Sequence, residues 1–455
     1  MDMMQMTIDK KFYKTLFSLA LPIALQNFIS SSLNMVDTLM IGKLGEAPIA
    51  AVAQANKIFF LYTLILFGIN SGGSSFTAQF WSKKDVKGIR KVLGICLLSG
   101  GIAAIVFSIG AILFPKQLMY IFAKDPEVIT LGSQYLRIVA ISYLATAATY
   151  SYSILLRSTG EAFIPMIISI ISLGTNTVLN WILIFGHLGI PSMGVQGAAI
   201  ATVIARLVEL SLFIWLIYKK QSPLAATIKE MLDVSLQFIQ RFYKTTIFVI
   251  LNEFIWALGT TMYSVAYGRM GKEAVVSISI SSNVEQIAMV IFYGLSSACA
   301  VMIGNEIGSE NDERAFKYAK KFAVIGPVLG IFTGILVILG APLILSIFNV
   351  SQEVYLASTR IITIFACYLP FKIFNLFMVV GILRSGGDTT FGFLIDAGGV
   401  WFIGVPFAFI AGLIWKLPIY WVFALVCSEE IFKVIFGLYR LFSKKWIHNL
   451  VNQME

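Results

Sequence analysis

Asp37 lies in Asn34-Met35-Val36-Asp37-Thr38, a carboxylate set inside a long apolar run. An acid at that depth facing lipid costs about 3 kcal/mol on insertion scales, so it is expected to face other protein. Asn34, three residues earlier, shares its helical face. Farther along, Asn176 and Asn180 stand four apart on one face, and Thr202 follows in the next apolar run. Carboxylate, amide and hydroxyl oxygens are the hard donors that suit a small cation. The same groups also make an interhelical hydrogen-bond cluster, and residue types alone leave both readings open.

The second half of the chain carries a different set. Asn252-Glu253 and Asp396 are again polar groups inside apolar runs, with Glu285 and Lys372 nearby in sequence order. Burial raises a carboxylate's pKa and a neighbouring cation lowers it, so Glu253 and Asp396 are read either as titrating or cation-holding groups or as salt-bridge partners of Lys372. Lys57 is a candidate counter-ion for Asp37, and Arg206 with Glu209 form an i, i+3 pair. Asn252, Tyr263, Glu285 and Lys372 complete the candidate counter-charges or substrate contacts. The metal candidates, for Na+, are Asp37, Glu253 and Asp396.

Enzyme chemistry finds little support. Cys96, Cys299, Cys367 and Cys427 have neither metal-ligand nor disulfide spacing, and His187 and His448 fall near loops. No His-Glu metal motif or Ser/Lys dyad is present at useful spacing. The chain is read as a non-enzyme without a cofactor.

These residues must be positioned by membrane helices. Of 455 residues 58% are hydrophobic and 13% charged, with mean hydropathy +0.84, outside the usual range of soluble domains. A helix needs about 20 apolar residues to cross a bilayer core, and such runs fill the chain. They predict twelve spans near 16–41, 48–80, 92–115, 129–156, 163–186 and 194–218, then 240–267, 274–304, 320–348, 354–383, 390–412 and 418–440. The expected architecture is an all-α polytopic membrane protein with an N-terminal lobe (1–218), a cytoplasmic linker (219–240) and a C-terminal lobe (241–455). An amphipathic helix around Ile228 to Phe238 is expected at the interface.

The net charge of +10 sits in alternate loops, at Lys83 to Lys91, Lys219 to Lys229 and Arg314 to Lys321, and in the tail. That places both termini in the cytoplasm, and without an aromatic-interleaved patch it argues against nucleic acid.

The chain also repeats itself. Leu156-Arg157-Ser158-Thr159-Gly160-Glu161 returns as Leu383-Arg384-Ser385-Gly386-Gly387-Asp388, an offset of 227 (384 − 157), with both arginines expected to cap helix C-termini. Gly45 and Gly271, and Gly68 and Gly294, repeat at 226 (271 − 45; 294 − 68), an offset that sets Tyr263 opposite Asp37. Six spans per repeat is an even number, so the repeat is parallel, as in some secondary transporters.

The runs Val36 to Gly45, Asn176 to Gly186, Gly197 to Thr202 and Leu383 to Asp388 together resemble the multidrug and toxic compound extrusion (MATE) family over essentially the whole chain. The resemblance implies two six-helix bundles around a V-shaped cavity, alternating access, and export of organic cations against inward Na+ or H+ from a monomer in a bacterial inner membrane. Asp37 matches the family's first-helix acid, Asn176 and Asn180 its fifth-helix polar pair, and Glu253 the seventh-helix acid of the NorM-like branch. Two departures stand out. Span ten lacks that branch's acid, which leaves Asp396 as a replacement, and Asn180 stands where the DinF-like branch often has a second acid. The competing reading, a lipid-linked precursor flippase, requires a basic central cavity.

Overall fold

The computed structural model describes residues 2–346 and 350–452, with the side chains of residues 2–9, 33 and 34, and so that of Asn34, outside the description. Among the described residues there are helices and no strands. In chain order they are α1 (Asp2–Gly42), α2 (Glu46–Ser82), α3 (Val86–Leu113), α4 (Pro115–Phe122), α5 (Pro126–Val139), α6 (Tyr143–Ser158), α7 (Phe163–Phe185), α8 (Gly194–Lys219) and α9 (Ile228–Leu232). The remainder are α10 (Leu236–Met270), α11 (Lys272–Gly308), α12 (Asp312–Leu345), α13 (Gln352–Leu376), α14 (Thr389–Gly399), α15 (Val405–Phe409) and α16 (Ile419–Ser443). A 3-10 turn at Ala140–Ser142 joins α5 to α6 in one span.

Eleven helical segments among the described residues are long and apolar enough to cross a membrane. The twelfth expected span, α16, has 25 residues, about 37 Å at 1.5 Å per residue. It contains Glu429, Glu430, Lys433 and Arg440, which lower its apolarity.

The repeat is visible in backbone geometry. Gly45 precedes α2 with φ 119° and Gly271 precedes α11 with φ 125°, so both copies need a glycine at the same turn. Pro22 and Pro370 lie inside α1 and α13, and α12 holds Pro327 and Pro342. Three segments widen into π-helix: Phe377–Leu383 after α13, and Val400–Gly404 and Ile410–Ile414 on either side of α15. Pro406 opens α15 and offers no N–H to the preceding turn, a position where an i to i+5 turn is a natural accommodation.

Two compact units emerge, residues 25–242 and residues 1–24 with 243–455. The expected lobes differ from these at the edges. In the second unit Phe12 is fully buried against Tyr318 and Phe322, and Gly294 lets α11 approach the backbone at Ala20 and Ala24, where an added Cβ would come within 2.9 Å. In the first, Phe242 and Phe238, at the start of α10, pack on Phe76 and Phe80 of α2.

The linker helix is shorter than the amphipathic stretch implies. α9 ends at Leu232, and Asp233 to Ser235 separate it from α10. Thr227 and Glu230 form a reciprocal capping box at its start. Arg90 on α3 pairs with Glu230 at 2.5 Å, and Lys91 with Asp233 at 3.8 Å. Ile228, Leu232 and Leu236 remain exposed.

Candidate functional site

In the first unit, α1, α7 and α8 bring Asp37, Asn176, Asn180 and Thr202 together. The i, i+4 spacing of Asn176 and Asn180 turns both amides to one side of α7, and both are buried. Asn180 Nδ2 donates to Asp37 Oδ1 at 2.8 Å and to Asn176 Oδ1 at 3.2 Å. Asn176 Nδ2 reaches Thr202 Oγ1 at 3.5 Å.

Asn176 presents a conflict. Its amide atom facing Asp37 lies 3.1 Å and 2.9 Å from the two carboxylate oxygens and 3.2 Å from Asn180 Nδ2. If that atom is oxygen, Asn180 is satisfied but two acceptors face each other, a contact that a shared proton or a bridging cation would relieve. If it is nitrogen, it donates to Asp37 but confronts the donor of Asn180. Asn180 Oδ1 is a buried acceptor that has no hydrogen-bond partner among the described residues. Asp37 forms no ion pair among them, because Arg206 is engaged by Glu209 at 2.7 Å, the pair that its spacing predicts. Lys57, the candidate counter-ion for Asp37, is exposed, with its Nζ 5.6 Å from the centroid of the Phe122 ring.

The second unit places charges at several positions that are polar and neutral in the first. Arg157 donates to Gln26 Oε1 at 2.5 Å, while Arg384, at the repeat position, donates to Glu253 Oε1 at 2.5 Å. Thus neither arginine is simply a helix cap, contrary to the sequence expectation: each side chain reaches back to a residue 131 positions earlier. Gln26 Nε2 donates to Ser169 Oγ at 2.6 Å, and in the repeat Asn252 Nδ2 donates to Asp396 Oδ2 at 3.1 Å. Asp396 is paired with Lys433 at 2.8 Å, and Lys433 also reaches Glu429 at 3.4 Å. Tyr263, standing opposite Asp37 in the repeat, donates its hydroxyl to Glu429 Oε2 at 2.6 Å. Lys372 pairs with Glu285, not with Glu253 or Asp396 as the sequence reading allowed. Asn375 donates to the Glu430 carboxylate at 2.7 Å.

Sequence reasoning missed Glu429, Glu430 and Lys433. A signal was present: at offset 227, Lys433 falls on Arg206 and Glu429 on Thr202 (433 − 206; 429 − 202).

Comparison with known proteins follows the same line. The MatE family profile matches residues 22–182 and 246–410. A "Probable multidrug resistance protein NorM" of Thermotoga maritima is 23% identical, with 95% of this chain and 93% of the relative covered. "Multidrug resistance protein PmpM" of Pseudomonas aeruginosa is 24% identical, covering 88% of this chain and 84% of that protein. Among solved structures, the Vibrio cholerae MATE transporter VcmN in the bent form aligns with a TM-score of 0.86 at 18% identity, covering 97% of this chain and all of that one. An outward-facing MATE family transporter of the MOP superfamily aligns at 0.84 and 19% identity, over 95% and 96% of the two chains.

Proposed function

The chain belongs to the MatE family, and on that premise we propose that it exports amphipathic, mainly cationic, organic compounds across a bacterial inner membrane in exchange for Na+ or H+. Several relatives bear multidrug-resistance names, and the chain is built of many apolar helices long enough to cross a membrane. The observation that carries the reading is the Asp37 site. It is an acid inside a membrane helix whose hydrogen-bond partner is the neutral amide of Asn180, with Asn176 and Thr202 joined to the same cluster and Arg206 taken up by Glu209. Exchange requires only that the coupling ion and the organic compound favour different facings of the protein, since differential affinity is what shifts a two-state equilibrium.

Glu253 and Asp396 contribute differently. Arg384 and Lys433 already neutralise them, so coupling is assigned to Asp37 with Asn176, Asn180 and Thr202. The flippase alternative, which requires a basic central cavity, has less support: Arg206, Lys372, Arg384 and Lys433 engage carboxylates, while Arg157 meets the neutral amide of Gln26.

The test is efflux of a fluorescent cationic dye from proteoliposomes under separately imposed Na+ and H+ gradients. Wild-type protein moves dye under one or both. Asp37→Asn is expected to lower gradient-driven movement by at least about tenfold, the loss of a transition between facings worth roughly 1.4 kcal/mol or more. Full activity in Asp37→Asn overturns the assignment, while Glu253→Gln is expected to remain gradient-driven.

A further inference from the structure

Lys433 is 4% exposed, and its ammonium stands between two carboxylates, 2.8 Å from Asp396 Oδ1 and 3.4 Å from Glu429 Oε1. The remaining oxygen of each acid has its own donor, Asn252 at 3.1 Å for Asp396 and Tyr263 at 2.6 Å for Glu429. The result is a closed oxygen cradle with an amine inside it. The backbone is shaped to admit that amine. A Cβ on Gly399 would come within 2.6 Å of Lys433 Cε, and one on Gly404 within 2.5 Å of Glu429 Oε2, so glycine at both positions leaves the space that the lysine and its partner fill.

The repeat supplies an independent comparison. At offset 227 the acids Asp396 and Glu429 correspond to Ser169 and Thr202 (396 − 169; 429 − 202), and Lys433 corresponds to Arg206, which takes Glu209 one turn farther along its own helix. The pair of acids is therefore particular to this unit, while a cation stands at the repeat position in both.

We infer that Lys433 is a tethered cation that permanently fills the Asp396–Glu429 site. This keeps a mobile ion out of the second unit and leaves ion coupling to Asp37. The inference rests on the cation-coupled reading given above. Removing one partner of a buried ion pair leaves an uncompensated charge, so an emptied cradle takes a small organic ammonium ion in place of the side chain.

Lys433→Ala in the full-length protein, thermally unfolded in detergent across an ethylammonium series, tests this directly. A ligand that binds only the folded state raises Tm with concentration. The expected result is saturable stabilisation of Lys433→Ala, with ethylammonium binding at least about tenfold tighter than to wild type. Wild type, Lys433→Arg and the triple variant Lys433→Ala/Asp396→Asn/Glu429→Gln should show no such site. An identical response in all four proteins overturns the inference. Where Lys433→Ala yields no folded protein even when prepared in ethylammonium, Asp396→Asn decides: the number of coupling ions moved per dye should equal the wild-type value, and a lower number overturns the tethered-cation assignment. The two readings fail separately. Dye efflux that survives in Asp37→Asn removes the coupling assignment whatever the cradle binds, and absent ethylammonium binding beside an inactive Asp37→Asn removes only the role of Lys433.

Discussion

At residue scale, Arg157 and Arg384 solve one burial problem in two ways. Gln26 supplies an amide oxygen and Glu253 a carboxylate, each at 2.5 Å. Glu253→Gln therefore reproduces a pairing that the molecule already uses in its other half, and should fold with only a few degrees' loss in Tm. Glu253→Leu removes the carboxylate that balances a buried guanidinium and should cost about 3–5 kcal/mol, read as a large drop in Tm or as loss of folded protein. Equal unfolding of the two variants would show that the Glu253–Arg384 pairing contributes little to stability. The residues bearing this site were partly legible in the sequence. Asp37, Asn176, Asn180 and Thr202 were recognisable because a polar group inside an apolar run has few places to go. Lys433 was not, because an i, i+4 acid–base pair such as Glu429 and Lys433 looks the same on an exposed helix face as on a buried one. Only the neighbouring helix, which supplies Asp396, separates the two cases.

At the scale of elements, hydrophobic run length located most span ends to within a few residues and missed the starts at Lys10, Val86 and Asp312 by six to eight, where charged turns extend the helices, while local hydrogen bonding decided where helices broke. The expected stretch from Ile228 to Phe238 is divided because Ser235 Oγ accepts from the Phe238 N–H at 3.2 Å and so helps to start α10 afresh. The linker itself depends on Glu230, whose carboxyl is held below its ordinary value by the backbone N–H and hydroxyl of Thr227, with Arg90 adding to the effect. A depressed folded-state pKa gives a contribution that is present above the unfolded value, near 4.3, and is lost as pH falls through the lower one. Limited proteolysis between residues 219 and 235 should accordingly accelerate below about pH 4, and Glu230→Gln should show that faster cleavage at neutral pH. Unchanged cleavage in Glu230→Gln would place the linker's anchorage elsewhere, in the contact of Met231 with α3. The wide turns around α15 lead to a second expectation. Gly404→Ala drives a methyl group into Tyr263 and Glu429, an overpacking that typically costs about 1–3 kcal/mol and is measurable as a drop in Tm.

For the whole molecule, the distribution of Lys and Arg predicts that loops 83–91, 219–229 and 314–321 face the cytoplasm. Single cysteines placed in them, in a background lacking the four native ones, should react with a membrane-impermeant thiol reagent only in inverted vesicles. Cysteine at Lys124 or Lys416 should react in intact cells. Labelling of both sets from one side would contradict a parallel repeat of two six-span halves. The duplication was readable from recurring turns and hexapeptides. The boundary between compact units was not, because it depends on what the first turns of α1 and α10 pack against.

That boundary bears on ancestry. Residues 1–24 belong with 243–455, while the opening turns of α10, up to Phe242, belong with the first unit. Phe12 and Phe242, which sit in the repeated Phe-Tyr-Lys triplet, are each fully buried in the body formed mainly by the other copy. A half-length progenitor folded this way would be a swapped homodimer, each copy lending the opening turns of its first helix to its twin. A present-day chain divided within the linker and expressed as two polypeptides should still reassemble, since residues 1–24 pack with the body of the second piece and the first turns of α10 with that of the first.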